Sequence, residues 1–262
     1  MAQVVEKGFV GLAGKRAVIT GGAGGLAIAT AQRLAIEGVE VVLTDINLDG
    51  AAAAAEKIVA STGGKVGALK ADVTSSASVA KLYEDAAAKM GGIDILVTCA
   101  GGYKAYADFE QVEEDDWDRV IALNLKSVYL CSKAVLPYMK PNKWGRIVNL
   151  GSIAGRSTST GKSPVHYSTA KAGVSMLTQC LAKDIAPYGI TANTVAPSTT
   201  KTDRILNLMT PDKEELFTKM TPVGYIAQPE DIVGMIVFLV SDEARYVTGA
   251  TIDVNGGRLM AL

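Results

Sequence analysis

A tyrosine followed four residues later by a lysine occurs twice in the chain, as Tyr129/Lys133 and as Tyr167/Lys171. On a helix this spacing places a phenol and an ammonium on one face, where the cation can favour the phenolate. The order of predicted elements puts only Tyr167/Lys171 near the carboxyl edge of a sheet. We therefore predict that Tyr129/Lys133 is a surface coincidence.

A glycine-rich segment, TGGAGGLA at residues 20–27, lies between the first predicted strand and the first predicted helix. Glycines in this place let the backbone approach a pyrophosphate at the positive end of the helix. Asp45 ends the second predicted strand, where a carboxylate can accept the ribose hydroxyls of an adenosine. The alternative is that Asp45 caps a turn with Asn47. Asp72, after the third predicted strand, suits either an adenine contact or a turn.

The remaining reactive side chains exclude several kinds of site. The chain has one histidine, His166, so no metal site with two or three histidine ligands can form. Cys99, Cys131 and Cys180 are far apart and form no CxxC pair, which argues against a disulfide framework or a zinc knuckle. No GxSxG elbow is present. We expect no metal, and chemistry that depends on hydroxyls, lysines, carboxylates or a cofactor.

Asn124 interrupts an apolar helical stripe formed by Trp117, Val120, Ile121 and Val128. Its amide is therefore predicted to point inward, where it needs hydrogen-bond partners. From the residues alone, a structural asparagine is favoured over a functional one.

The elements that must position these residues alternate along the chain. Short β-branched runs are predicted as strands at residues 16–20, 39–44, 66–71, 93–98, 146–150, 191–196 and 250–254. Segments of helical period lie between them, including residues 26–37, 48–61 and 76–90. Apolar strands separated by helices indicate a parallel sheet covered on both faces. The fold class is α/β, a doubly wound parallel sheet of about seven strands in a single domain spanning residues 1–262.

Two later helices have recognisable start signals. Ser163-Pro164 predicts an N-cap serine with proline at the first helical position. Pro229-Glu230-Asp231 places proline and two acids in a first turn.

Composition excludes whole classes of partner. Of the 262 residues 48% are hydrophobic, and 26 basic side chains face 27 acidic ones for a net charge of −1. Nothing in this balance favours nucleic acid or an anionic membrane surface. The longest apolar run, residues 232–240, is shorter than the ~18 residues that a membrane span needs. No secretory signal is recognisable at the N-terminus. We expect a cytoplasmic protein with no nucleic-acid or membrane partner.

Together these residues resemble the short-chain dehydrogenase/reductase family, in its roughly 250-residue subclass, over about residues 12–257. Thr20-Gly-x-x-x-Gly25 matches the cofactor loop, and Cys99-Ala100-Gly101 lies where the family has Asn-Ala-Gly. NLGSIAG at residues 149–155 matches the segment of the catalytic serine. VTGATIDVNGG at residues 247–257 matches the closing strand. The resemblance implies a Rossmann-type fold and a homotetramer.

The resemblance also implies a catalytic group of four residues. Tyr167 would be the general acid/base, its pKa lowered by Lys171 and by the positive nicotinamide, and Lys171 would hold the cofactor ribose. Ser152 would hydrogen-bond the substrate oxygen. Asn124 would hold a water that relays protons. His166 is interpreted as a packing or loop contact rather than a base.

The implied cofactor is NAD, because the Asp45 carboxylate would repel the 2′-phosphate of NADP. The implied cofactor-binding residues are Gly21, Gly24, Gly25, Leu26, Asp45, Ile46, Asp72, Val73, Cys99, Ala100, Gly101, Tyr167, Lys171, Pro197, Thr200 and Thr202.

Several positions depart from the family pattern. Ala27 stands where the family usually has a third glycine, and Ser198 replaces the glycine after the strand-ending proline. Thr98 and Cys99 replace two asparagines that support the sheet. We interpret Cys99 as a packed thiol rather than a nucleophile.

The interval from Ser152 to Tyr167 is two residues longer than in the family, which places an insertion in the loop at residues 156–163. Ser157 and Ser159 are therefore rivals for the role of Ser152.

The substrate, a small molecule, is expected between residues 102–106, 153–163 and a substrate loop at about residues 198–225. These segments contain Lys104, Arg156, Lys162, Lys201 and Arg204. The basic lining favours a hydroxylated or anionic substrate such as a polyol, a sugar derivative or a hydroxy acid. The interface of the tetramer is expected at the helices bearing Asn124 and Tyr167 and at residues 259–262.

Three alternatives remain. A 3-oxoacyl-thioester reductase using NADPH is disfavoured by Asp45 and by the absence of a basic residue from the glycine-rich loop. A nucleotide-sensing regulator without catalysis is disfavoured by the intact catalytic group. A sugar-nucleotide epimerase would be longer and would show Gly-x-x-Gly-x-x-Gly.

Overall fold

The computed structural model of the protein describes residues 8–158 and 163–260. Within these residues, seven parallel strands form one sheet in the order β3-β2-β1-β4-β5-β6-β7. The strands are β1 (Arg16–Thr20), β2 (Glu40–Asp45), β3 (Val66–Lys70), β4 (Ile95–Thr98), β5 (Gly145–Leu150), β6 (Ile190–Pro197) and β7 (Thr251–Val254). The predicted doubly wound parallel sheet is confirmed, and each strand end lies within two residues of the predicted one.

Helices cover both faces of the sheet. They are α1 (Gly25–Ile36), α2 (Leu48–Thr62), α3 (Ser76–Met90), α4 (Glu114–Ile121), α5 (Ser127–Met139), α6 (Val165–Ile185), α7 (Asp203–Leu206), α8 (Pro211–Lys219) and α9 (Pro229–Val240).

The core consists of two apolar layers, one on each side of the sheet. In β1, Ile19 belongs to the layer beneath α1, α2 and α9, whereas its neighbour Val18 belongs to the layer beneath α3, α5 and α6. Successive side chains of a strand point to opposite faces, so a strand covered on both sides is apolar throughout. This is the reason the strands appear in the sequence as unbroken β-branched runs.

The start of α6 differs from its prediction. Helix α6 begins at Val165, and Pro164 occupies the N-cap with φ −67° and ψ 149°. The carbonyl of Pro164 accepts the first helical bond, from the N–H of Ser168 at 3.1 Å, which is the property that defines the N-cap. Ser163 therefore does not cap the helix. Pro229 does lie at the first position of α9, as predicted.

Helices α4 and α5 are joined by a π-helical turn at Ala122–Lys126, which contains Asn124. The continuous segment Glu114–Asn142 is long and apolar enough to cross a membrane by length and composition alone. Here it forms the crossover between β4 and β5, with Val128, Cys131 and Val135 buried in it. An apolar helix packed on a parallel sheet has the same composition as a membrane span.

The strand order reverses direction beside β1, which pairs with β2 on one side and with β4 on the other. The connections leaving β1 and β4 diverge there, and a crevice forms beyond their carboxyl ends. The glycine-rich segment and the segment after Thr98 both enter this crevice.

Candidate active site

The glycine-rich loop connects β1 to α1 in a conformation that requires glycine at Gly21. Its φ is +71°, and a Cβ there would lie 2.8 Å from the backbone nitrogen of Ala100. The N-cap of α1 is Gly24, which offers no side-chain acceptor to the first turn, and Leu26 lies within that turn. The positive end of α1 is thus arranged to receive an anion.

Asp45 ends β2 directly beside this loop. Its Oδ2 accepts a hydrogen bond from the backbone N–H of Ala23 at 3.1 Å, and its Oδ1 accepts one from Asn47 at 2.9 Å. Asp45 therefore makes the turn contact with Asn47 and also lies beside the glycine-rich loop. The neighbouring Ile46 is 67% exposed.

Asp72 is engaged in a turn. Its Oδ1 accepts hydrogen bonds from the N–H and the hydroxyl of Thr74 at 2.8 and 2.6 Å, while the hydroxyl of Ser78 receives the N–H of Asp72. Val73, between them, is buried. The contacts of the Asp72 carboxylate are therefore those of a turn, which was the alternative to an adenine contact.

Other segments predicted to bind the cofactor meet at the same edge. The N–H of Ala100 donates to the Thr20 hydroxyl at 3.2 Å, which ties the ends of β4 and β1 together. A Cβ on Gly25 would lie 3.3 Å from the side chain of Thr202, so the start of the substrate loop abuts the glycine-rich loop. Pro197 ends β6, and Thr200 is buried.

Tyr167 and Lys171 lie one turn apart in α6, and Ser152 directly follows β5 close to them. The Ser152 hydroxyl lies close enough to the Tyr167 phenol to influence its pKa, and it accepts the N–H of Ala154 at 3.1 Å. Lys171 is buried and donates to the carbonyl oxygen of Leu150 at 2.6 Å. The sheet edge and one helical face thus bring a hydroxyl, a phenol and an ammonium together.

Burial shifts the pKa values of both Tyr167 and Lys171. Burial raises the pKa of Tyr167 to about 12, a rise that the hydrogen bond with Ser152 opposes. Burial lowers the pKa of Lys171 to about 8. The Lys171 ammonium lies 5.7 Å from the centroid of the Tyr167 ring. Among the protein's own groups burial dominates, and the lowering of the phenol pKa by Lys171 together with the positive nicotinamide stays a prediction.

Asn124 is fully buried and holds the segment that follows β4. Its Oδ1 accepts the N–H of Gly102 at 2.8 Å, and its Nδ2 donates to the carbonyls of Gly102 and Val120 at 2.8 and 2.9 Å. A Cβ on Gly101 would lie 2.8 Å from Oδ1 of Asn124 and 3.4 Å from the nitrogen of Lys171. Asn124 therefore shapes the floor of the site, with Lys171 beside it.

The rival serines are separated by the structure. Ser152 is the serine that lies near enough to Tyr167 to influence the pKa of its phenol. Ser157 lines a different cavity of about 490 Å³, together with Ser168 and Thr169. Ser159 falls outside the described residues, as does Lys162.

Tyr129 and Lys133 lie on the surface of α5, away from the sheet edge. Tyr129 is 48% exposed, and Lys133 donates to its hydroxyl at 3.4 Å. The prediction of a surface pair is confirmed.

Thr98 and Cys99, two departures from the family pattern next to the site, have different structural roles. The Thr98 hydroxyl donates to Oδ1 of Asn149 on the neighbouring strand at 2.9 Å, as expected of a sheet-supporting residue. Burial raises the pKa of the Cys99 thiol to about 12. A thiol with this pKa is a poor nucleophile at neutral pH, in agreement with its interpretation as a packed side chain.

Two residues near Tyr167 carried no signal in the sequence. The ring of Tyr103 lies 4.8 Å from that of Tyr167. Asp116 in α4 contacts His166 at 2.9 Å. Tyr103 lies in a loop without periodicity, and Asp116 is one of several acids in its helix, so their positions depend on tertiary packing.

A cavity of about 440 Å³ opens on the Tyr103 side of the site. Arg204 of α7 crosses its edge, donating to the carbonyls of Gly101 and Tyr103. The charged residues that line the cavity are Lys104, Arg119 and Arg204.

Comparisons with known proteins agree with this geometry. A family model described as enoyl-(acyl carrier protein) reductase matches residues 21–258. The 2-dehydro-3-deoxy-L-rhamnonate dehydrogenase (NAD(+)) of Sphingomonas sp. (strain SKA58) is 37% identical over 94% of this chain and 96% of its own length. The 3-oxoacyl-[acyl-carrier-protein] reductase FabG of Aquifex aeolicus (strain VF5) is 35% identical over 94% and 98%. The crystal structure of levodione reductase superposes with a TM-score of 0.90 at 29% identity, covering 94% of this chain and 98% of that one.

Proposed function

This chain belongs to the short-chain dehydrogenase/reductase family of oxidoreductases, and from that premise we propose that it transfers hydride reversibly between a secondary alcohol and NAD. The observation that carries the proposal is that Lys171 donates at 2.6 Å to the carbonyl oxygen of Leu150 at the end of β5, two residues before Ser152, with Tyr167 one turn earlier in α6. These groups lie at the sheet edge that also bears the glycine-rich loop. The whole chain acts as one catalytic domain.

The residues present fit a nicotinamide dinucleotide. The uncapped first turn of α1 suits a pyrophosphate, and the Asp45 carboxylate beside Ala23 suits a ribose diol. The remaining contacts would come from Leu26, Ile46, Asp72, Val73, Cys99, Ala100, Gly101, Pro197, Thr200 and Thr202. When bound, this cofactor supplies the hydride acceptor or donor.

NAD rather than NADP is the proposed form. The Asp45 carboxylate would stand next to a 2′-phosphate, and the glycine-rich loop offers no cation to balance the repulsion. The Sphingomonas relative carries NAD(+) in its name, which supports the same choice.

In alcohol oxidation, the Tyr167 phenol gives its proton to the relay water, and the phenolate so formed takes the proton from the substrate hydroxyl. Ser152 donates a hydrogen bond to the same oxygen as it becomes a carbonyl. The raised pKa of Tyr167 means that the phenol is the resting form at neutral pH. Lys171, buried beside Gly101, holds the ribose and adds positive charge near the reacting oxygen. Asn124 keeps Gly102 in place and holds a relay water.

The proposed substrate is an alcohol that carries an anionic or hydroxylated group, such as a hydroxy acid, a sugar derivative or a polyol. The cavity beside Tyr103 supports this choice, because its charged lining residues are cationic. The substrate loop at about residues 198–225 would cover it and contributes Arg204. The name of the Sphingomonas relative, which specifies a rhamnonate, points to the same class.

A second candidate is a 3-oxoacyl-thioester reductase, favoured by the FabG relatives. It would work in the reducing direction with NADPH, which the Asp45 carboxylate disfavours. A non-catalytic nucleotide sensor is a weaker candidate, because the hydroxyl, phenol and ammonium required for catalysis lie together.

One assay tests these candidates. The purified protein is incubated with a panel of hydroxy acids, sugars, polyols and simple alcohols, once with NAD and once with NADP. The formation of reduced nicotinamide is followed by its absorbance. Turnover with NAD and an acidic or polyhydroxy alcohol is expected. Reduction of an acetoacetyl thioester with NADPH as the fastest reaction would favour the second candidate, and no turnover with any pair would contradict the proposal.

The proposed location is the cytoplasm, and the proposed assembly is a homotetramer with a small-molecule substrate as its other partner. No nucleic-acid or membrane partner is proposed, since the net charge of −1 provides no electrostatic attraction to either.

A further inference from the structure

The first turn of α6, which carries Tyr167, has no capping side chain at its N-cap. Pro164 occupies that position and makes no side-chain hydrogen bond. The first N–H groups of any helix have no partner within the helix and need one from elsewhere. His166 provides one, because its Nδ1 accepts the backbone N–H of Tyr167 at 2.8 Å.

The other nitrogen of His166 contacts a different helix. Its Nε2 lies 2.9 Å from Oδ2 of Asp116 in α4, and the imidazole is fully buried. Oδ1 of Asp116 in turn accepts a hydrogen bond from Arg119. Since Nδ1 accepts a hydrogen bond, it carries no proton. The neutral ring protonated on Nε2 satisfies both contacts, and the Asp116 carboxylate selects that tautomer.

We propose that Asp116 and His166 are positioning residues for Tyr167: together they clamp its backbone N–H to α4 and so hold its phenol against Ser152. This inference rests on the proposed role of Tyr167 as the acid/base. Both nitrogens of His166 are engaged by protein groups, so the imidazole acts on the reaction only through the placement of Tyr167. A misplacement of about 1 Å can lower a rate by about a hundredfold.

Two substitutions of His166 by residues with an amide side chain each keep one of its two contacts and remove the other. His166→Asn places an amide oxygen near the position of Nδ1, so it keeps an acceptor for the Tyr167 N–H and loses Asp116. His166→Gln extends an amide nitrogen toward Asp116 and loses the acceptor for Tyr167. A packing role would make the two variants equal, whereas a positioning role makes them unequal.

We expect His166→Gln to lower kcat by about 10- to 100-fold with KM within about twofold, and His166→Asn to recover most of kcat. Thermal unfolding and the Kd for NADH are measured in parallel. An equal loss in both variants, or a loss that follows the melting temperature, would overturn the proposal.

A second readout needs no turnover. In protein labelled with 15N-tyrosine, the Tyr167 amide signal is identified by its disappearance in Tyr167→Phe. We expect this amide to exchange with solvent faster in His166→Gln than in wild type or His166→Asn. Equal exchange rates would contradict the proposal that His166 holds the Tyr167 N–H, and they would leave the proposed function unaffected. Full turnover by Tyr167→Phe would instead remove the proposed function, whatever the exchange rates.

Should His166→Gln fail to fold, substitutions of Asp116 test the proposal instead, because Asp116 has 35% of its side chain exposed whereas His166 is fully buried. Asp116→Asn keeps an oxygen for Nε2, and Asp116→Ala removes it. We expect kcat to fall about fivefold or more in the alanine variant and less in the asparagine variant. Asp115→Ala, at an exposed acid of the same helix, is the matched control. Wild-type kcat in Asp116→Ala would overturn the proposal.

Discussion

At the scale of single residues, the hydroxyl of Tyr167 is the atom on which the proposed chemistry depends. Tyr167→Phe removes that oxygen and keeps the ring that packs against Tyr103. We expect turnover to fall by about a thousandfold or more, in the range of a lost general acid/base. NADH binding, measured by fluorescence titration, should stay within about twofold of wild type, because a single hydroxyl at the reacting end contributes little to it.

Tyr129→Phe provides the control, since Tyr129 also precedes a lysine by four residues but lies on the exposed face of α5. Its turnover should remain almost unchanged. Loss of activity in this variant, with Tyr167→Phe still active, would reverse the assignment.

Ser152 is the serine expected to polarise the substrate oxygen. It lies two residues after the end of β5, so the sheet sets its position, and its hydroxyl is near enough to the phenol of Tyr167 to influence the pKa of that phenol. Ser152→Ala should lower kcat by about a hundredfold, as the loss of one donor to a developing oxyanion does. Steady-state kinetics of Ser157→Ala and Ser159→Ala should show at most about a twofold change. A larger loss of kcat in Ser159→Ala than in Ser152→Ala would mean that the two-residue insertion has been placed in the wrong segment.

Asp45 is expected to set the cofactor preference. The poorly solvated contact between its carboxylate and a 2′-phosphate should cost a few kcal/mol, about a hundredfold or more in kcat/KM. Asp45→Ala should relax the preference, and Ile46→Arg, at an exposed neighbouring position, should shift it toward NADP. The measurement is kcat/KM with both cofactors. Equal use of NADP by the wild type would mean that Asp45 does not face the ribose.

At the scale of secondary-structure elements, a chain of buried polar side chains connects β4, β5, α6 and β6. Thr98 donates to Asn149 at 2.9 Å, Asn149 to Thr178 at 3.0 Å, and Thr194 to Thr178 at 2.9 Å. Thr178 is fully buried in α6, so it links this helix to β5 and β6. The strands and the helix that bear the proposed catalytic group are thereby held in register.

Thr178→Val keeps the shape of that side chain and removes its hydroxyl, leaving Asn149 and Thr194 without a partner at that point. We expect the free energy of unfolding to fall by about 1–3 kcal/mol, the cost of buried polar groups left unsatisfied. Urea denaturation measures it. The control is Thr169→Val at an exposed position of α6, where the change should stay within about 0.5 kcal/mol. Equal effects would mean that the buried chain contributes nothing.

At the scale of the whole molecule, the outer faces of α5 and α6 expose apolar side chains that suit an interface between copies. Tyr129 of α5 is 48% exposed and Met176 of α6 is 60% exposed. Large exposed apolar side chains grouped on one surface are typical of subunit contacts. Of the predicted tail, residues 259 and 260 are described, and Met260 is 77% exposed.

Light scattering coupled to size-exclusion chromatography should therefore give a mass of four times 27.3 kDa. Met176→Glu would bury a charge in the proposed interface and should yield smaller species. Lys183→Glu, which also introduces a carboxylate but near the end of α6, serves as the comparison. A monomeric wild type would rule out the tetramer.

Fold class and the position of the site at the sheet edge could be predicted without coordinates. Unbroken β-branched runs such as residues 146–150 indicate strands covered on both faces, and the glycine-rich segment after β1 marks the crevice. These are local patterns, because the period of side chains along a strand or a helix is set by the backbone. The choice of Tyr167/Lys171 over Tyr129/Lys133 as the sheet-edge pair followed from element order alone.

Contacts between distant segments could not be obtained in this way. His166 and Asp116 are 50 residues apart and meet only because α4 and α6 pack together. The cap at the start of α6 was predicted on Ser163, but it is completed by the side chain of His166. The pKa of Tyr167 rises although a lysine lies one turn away, since the phenol is desolvated by surrounding groups that sequence spacing does not reveal. Spacing determines which residues share a face, whereas burial and cross-helix hydrogen bonds depend on how the elements pack.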